Sequence, residues 1–268
     1  MDILNFLQYS FIQKAFLAGS FIAIICATLG VFLVLRKMSL IGDGLSHVSF
    51  GAIALGLFFG IYPFYIAVPV VMIASIFILK ISEKAKIYGD SAIGIVSAVG
   101  IAGGVILASV SNGFNVDLFS YLFGNILAIS NTEVILSIAL SIIVLIVIYF
   151  FYWDLFSATF DEEYAKTTGI KTKHINTLLT LLTSVTVVLS VKMVGIMLVS
   201  ALLVLPAVIA LQIAKGFKMT MIISALFSFI SVLFGITLSF FLDLPTGATI
   251  VLFNFVVFLI VLIYKSYK

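Results

Sequence analysis

Two residues in the stretch Gly42-Asp43-Gly44-Leu45-Ser46-His47 have the types and the spacing to do chemistry. Asp43 and His47 are four positions apart, which on a helix puts them on one face with β-carbons about 5–6 Å apart. A carboxylate and an imidazole are both ligands for first-row divalent metals. The stretch opens an apolar run of membrane-spanning character. An ionisable pair at membrane depth is costly, and such pairs mark a transport path, a proton relay or a ligand site. The competing reading makes Asp43 a helix N-cap at the membrane surface, with His47 one turn in and facing water.

The remaining polar residues narrow the chemistry. No G-x-x-x-x-G-K-[ST] loop occurs, and Gly100 to Gly104 has no lysine after it, so no nucleotide site is expected. H-E-x-x-H is also missing. Ser46 and His47 are adjacent, and adjacent helix residues do not face each other, which argues against a nucleophile–base dyad. Cys26 is the one cysteine, which excludes an intrachain disulfide and a cysteine metal cluster. His174, after Lys173, reads as interfacial, and Asp117 and Asp243 read as solvated loop carboxylates. One Asp and one His are two ligands, where a closed zinc site takes four. Two copies on a two-fold axis, the commonest oligomer, would supply two of each. Such a set suits zinc or manganese without choosing between them. No permanently bound cofactor is expected.

These residues sit in a chain built for lipid. Of its 268 residues 63% are hydrophobic and 9% charged, against roughly 25% charged in soluble domains. The mean hydropathy is +1.35. The sequence predicts an all-α polytopic membrane bundle, one domain over residues 1–268. The net charge of +3 fits membrane-loop bias rather than nucleic-acid binding. Met1-Asp2-Ile3 lacks the basic start of a cleavable signal peptide.

Spans of about 20 apolar residues are expected at 15–35, 43–60, 64–81, 91–110, 133–153, 175–191, 194–214, 219–242 and 246–264. The segment 116–130 is apolar but short and reads as re-entrant. The span at 91–110 carries Gly94, Gly100, Gly103 and Gly104, small residues that let helices approach closely. The count is eight or nine spans. Arg36-Lys37, Lys80/Lys84/Lys86, Lys166/Lys171/Lys173, Lys215/Lys218 and Lys265/Lys268 then share one side, which the positive-inside rule makes cytoplasmic. Lys14 and Lys192 are exceptions.

The cytoplasmic loop 154–173 contains a second informative pattern. Asp161, Glu162 and Glu163 begin a short helix, Phe160, Tyr164 and Ala165 share a face, and Gly169 stops it. It is either a connector lying on the membrane or a helix that docks into a partner's groove. Pro206, mid-span, removes a backbone hydrogen bond and is a candidate kink, gating or merely structural.

Four stretches carry a family likeness. Arg36-Lys-Met-Ser-Leu-Ile-Gly-Asp-Gly-Leu-Ser-His47, Ser120-Tyr-Leu-Phe-Gly-Asn-Ile-Leu127, Val194-Gly-Ile-Met-Leu-Val-Ser-Ala-Leu-Leu-Val-Leu-Pro206 and Leu244-Pro-Thr-Gly-Ala-Thr-Ile-Val251 resemble the permease subunits of bacterial ABC importers for zinc, manganese and iron. The resemblance runs nearly end to end. It implies a type II importer fold and a homodimeric pore. It implies two cytoplasmic ATPase subunits, which carry out ATP hydrolysis in place of this chain, and an extracellular metal-binding protein. Asp43 and His47 match the family's in-pore ligands, and Asp161 to Gly169 resembles its coupling helix. The form of the motifs leans toward zinc, with manganese next. The rival readings are a proton-coupled secondary carrier using Asp43 and His47 as a relay, and an intramembrane enzyme.

Overall fold

Lipid offers no hydrogen bonds, so a spanning chain must satisfy its backbone internally, and a helix does so within one segment. The computed structural model describes residues 8–85, 88–110, 121, 122, 124 and 129–266, and every regular element among them is helical. They are α1 (Ser10–Leu35), α2 (Ile41–Phe58), α3 (Pro63–Ala85), α4 (Gly89–Val110), α5 (Asn131–Phe150), α6 (Tyr152–Phe160), α7 (Glu162–Thr167), α8 (Thr172–Val194), α9 (Val199–Ile213), α10 (Phe217–Leu242) and α11 (Thr246–Ser266). Eight are long and apolar enough to cross a membrane: α1 to α5, α8, α10 and α11.

α1 is the core of the bundle. It is apolar all round, as a fully buried helix should be, and α10, α9, α5 and α8 pack around it. α8 is also largely buried although rich in hydroxyls. Those of Thr180, Thr183, Ser184 and Ser190 donate to carbonyls three or four residues back, which hides their polarity and keeps the side chains small. α2 packs against α4 and α3, with α8 and α9 behind it.

Two expected spans change. The predicted span 194–214 is not one helix. Gly195 turns the chain at φ +86°, Ile196–Leu198 forms a 3₁₀ turn, and only Val199–Ile213 is α-helical. Its 15 residues cover about 22 Å, short of a 30 Å hydrocarbon core, and it begins inside the bundle, with Ile196 and Val199 buried. Pro206 lies within α9, and a separate interruption of this segment falls at Gly195. The span 133–153 ends at Phe150, and the first part of the expected loop, Tyr152–Phe160, is a helix with Leu155 and Ala158 turned inward. Most of 116–130, and Asp117, lie outside the described residues.

Candidate functional site

α2 carries Asp43 and His47, and glycines bring its neighbours close. The Leu203 side chain covers Gly42 and Ile93 covers Gly44. Farther along, the backbone of α4 at Gly100 lies against His47 and Val48; a β-carbon there would stand 2.7 Å from Val48 Cα and 3.0 Å from the His47 carbonyl oxygen. Gly94 and Gly103 face open space, so two of the four glycines predicted to aid packing on α4 make no such contact.

Asp43 is the third residue of α2, and Leu40 holds the N-cap position without a side-chain hydrogen bond. The N-cap reading of Asp43 is therefore replaced: its carboxylate is free for other partners. His47 Nε2 lies 3.6 Å from Asp43 Oδ2. Ser200, at the start of α9, donates its Oγ–H to Asp43 Oδ1 at 3.2 Å. Ser46 donates instead to the Asp43 backbone carbonyl at 2.8 Å, which removes it further from any dyad with His47. The first turns of two helices thus converge on one carboxylate, whose charge suits their dipoles.

The pair is not enclosed by its own chain. Asp43 is 47% exposed and His47 21%. Among the described residues no three His, Cys, Asp or Glu gather into a metal cluster, so one chain brings only Asp43 and His47 to this place. His174 stands exposed in the first turn of α8, and Asp243 is exposed at the end of α10, each apart from the pair.

The second constellation joins α1, α6, α7 and α8. Asp161 caps α7, accepting from the Tyr164 amide at 2.9 Å. Gly169, at φ +88°, ends it: its amide donates to the Lys166 carbonyl and that of Ile170 to the Ala165 carbonyl, the paired bonds of a glycine-stopped helix. Ala165 is buried, whereas Tyr164 and Phe160 are 63% and 57% exposed, so the expected common face divides. Phe160 ends the preceding helix, and the extended Asp161 breaks the register between them. Glu163 and Glu162 pair with Lys166 at 2.8 and 3.6 Å. The Glu163 hydrogen bond raises the Lys166 ammonium above its ordinary pKa. Arg36, just past α1, fastens the unit: it donates to the Ala158 carbonyl at 3.1 Å and to Asn176 Oδ1, and lies 3.9 Å from Glu162. Burial lowers its pKa while Glu162 acts in the opposite sense.

The fold and the site define a polytopic helical membrane protein with a partly exposed carboxylate–imidazole pair on one span. The ABC 3 transport family model matches residues 8–265, and the chain belongs to that family. The resemblance to metal-importer permeases read from the motifs is borne out. The manganese transport system membrane protein MntC of Halalkalibacterium halodurans is 36% identical over 92% of this chain and 84% of its own. The manganese import system permease protein ScaB of Streptococcus gordonii is 36% identical over 94% and 91%. The high-affinity zinc uptake system membrane protein ZnuB of Haemophilus influenzae is 33% identical over 91% and 94%. The solved structure of PsaBC from Streptococcus pneumoniae in complex with Fab superposes with a TM-score of 0.88 at 32% identity, covering 97% of this chain and 93% of that one.

Proposed function

We propose that the chain is the membrane permease of an ATP-driven importer of manganese or zinc, and that Asp43 and His47 hold the ion in transit. The observation that carries this reading is the partly exposed pair on α2. An ionisable pair left facing lipid is expensive; a second copy on a two-fold axis would cover it and bring the ligand count to four. A transport site must also release its ion, and two ligands per chain make a labile site. The relatives' names divide between manganese and zinc, and a carboxylate with an imidazole accommodates either. The basic end, with Arg36, Lys166 and Lys218, is cytoplasmic by the positive-inside rule. There α7 meets one of two ATPase subunits, and an extracellular metal-binding protein delivers the ion to the opposite end. Family membership favours ATP over the proton-coupled alternative.

Uptake into proteoliposomes tests this, with zinc and manganese measured in parallel. ATP-dependent uptake that requires the ATPase and the binding protein supports the reading; uptake by the chain alone on a proton gradient overturns it. Asp43→Ala and His47→Ala should each abolish uptake and leave assembly intact, and normal uptake by both would remove the site.

A further inference from the structure

A second built feature lies on another face. α5 and α10 flank α1, whereas α2 packs on α4 and α3. Between the end of α5, the start of α6 and the start of α10 opens a cleft of about 600 Å³. Tyr149, Phe150 and Met221 make its apolar wall, and Tyr152, Trp153 and Lys218 its polar rim. The rim continues into a neighbouring cleft of about 450 Å³ beside Gly216 and Phe217.

Lys218 is the unusual member. Its Nζ stands 5.4 Å from the Trp153 ring centroid and 5.9 Å from that of Tyr152. Among the described residues no carboxylate forms an ion pair with it. Ring faces orient an ammonium but leave its charge uncompensated. The position is also fixed. Phe217, the preceding residue, packs its ring against those of Phe32, Tyr152, Phe156 and Phe160, at centroid distances of 5.2, 5.9, 5.1 and 5.6 Å.

Height in the membrane selects the anion. Trp and Tyr side chains concentrate at the membrane–water interface, and Tyr152 and Trp153 place this rim there. Lys215 and Lys218 place it on the basic side, where the leaflet carries anionic lipid. We propose that the cleft binds one anionic phospholipid of the cytoplasmic leaflet, with its phosphate on Lys218 and an acyl chain along Phe150 and Met221. The ring faces hold the ammonium at the rim, and the apolar wall below takes the chain that a free anion lacks.

Native mass spectrometry of the delipidated, purified full chain tests this with three probes: phosphatidylglycerol, phosphatidylcholine and inorganic phosphate. Wild type should favour phosphatidylglycerol by about fivefold, the contribution of one lysine beside an anionic surface. Lys218→Gln should erase that preference, Lys218→Arg should keep it, and Trp153→Ala should weaken retention of both lipids. Equal binding of the two lipids by wild type, or an unchanged preference in Lys218→Gln, overturns the proposal. So does displacement of the lipid by millimolar inorganic phosphate, which would make the site one for a free anion. A change of oligomeric state in the Lys218 variants would assign the cleft to a second copy instead. Because binding is read without transport, these outcomes are independent of the metal site.

Discussion

Ser200 reaches Asp43 from 157 positions along the chain and donates to one carboxylate oxygen while His47 stands beside the other. The two contacts engage both carboxylate oxygens, so in the proposed site Ser200 would position Asp43 without itself being a ligand. A hydrogen bond to a charged group contributes about 1.5–3 kcal/mol when well buried. With Asp43 half exposed, we take the low end. Ser200→Ala should raise the metal concentration for half-maximal uptake by about tenfold and leave the maximal rate near wild type, and Ser200→Thr should restore it. An unchanged concentration dependence would make Ser200 a packing residue only. Asp43 and His47 were legible because four-residue spacing is a property of the local chain. Ser200 was not, because nothing in the chain between them signals which helix start will meet α2.

α2 keeps its place through α4, and Gly100 is where the two backbones come closest. A methyl group there must displace Val48 or the His47 carbonyl, and overpacking of this kind costs about 1–3 kcal/mol. Gly100→Ala should lower the thermal midpoint of the detergent-solubilised protein and reduce uptake, because the helix that moves carries His47. Gly103→Ala, on the same helix with open space around it, should leave the midpoint unchanged or slightly raised. Equal effects at both positions would mean that helix propensity, not close approach, governs α4. At the other constellation, Arg36 holds α7 through three partners on α6, α7 and α8. Arg36→Ala leaves the Ala158 carbonyl and Asn176 without their donor, a loss of about 1–3 kcal/mol. Uptake should fall at least severalfold, with Lys at this position restoring little, because an ammonium lacks the planar fork. Full activity in Arg36→Ala would show that α7 needs no anchoring. Helix α7 was readable from its cap and its stop glycine. α6 was not, because Tyr152 to Phe160 has the composition of an interfacial belt, and only packing of Leu155 and Ala158 beneath it makes it a helix.

Charge is distributed over the whole molecule so that its two ends differ, and one of the two exceptions, Lys192, has a local cause. Lys192, at the end opposite Arg36, lies 3.3 Å from Glu133 and over the Tyr121 ring at 4.6 Å. It is a paired charge tying α8 to α5, so it does not offset the basic end. Sequence could flag Lys192 as an exception but could not supply its partner, since Glu133 is also the reciprocal member of a capping box with Ser130. The proposed dimer covers the partly exposed face with Asp43 and His47, and its two-fold symmetry makes a specific demand there. Residues close to the axis meet their own copies. Leu40 is one turn before Asp43 on the same side of α2 and is exposed. Cys26 is the only native cysteine and is buried, so an introduced thiol can be read without removing it. Leu40→Cys should give a covalent dimer on mild oxidation, which requires α-carbons within about 7 Å. Phe150→Cys, on the lipid-cleft face, should stay monomeric under the same oxidation. The reverse pattern would place the two copies against each other through α5 and α10. Both the proposed shared metal site and the proposed lipid cleft would then be lost at once, because each requires a dimer that covers α2 and leaves α10 to the membrane.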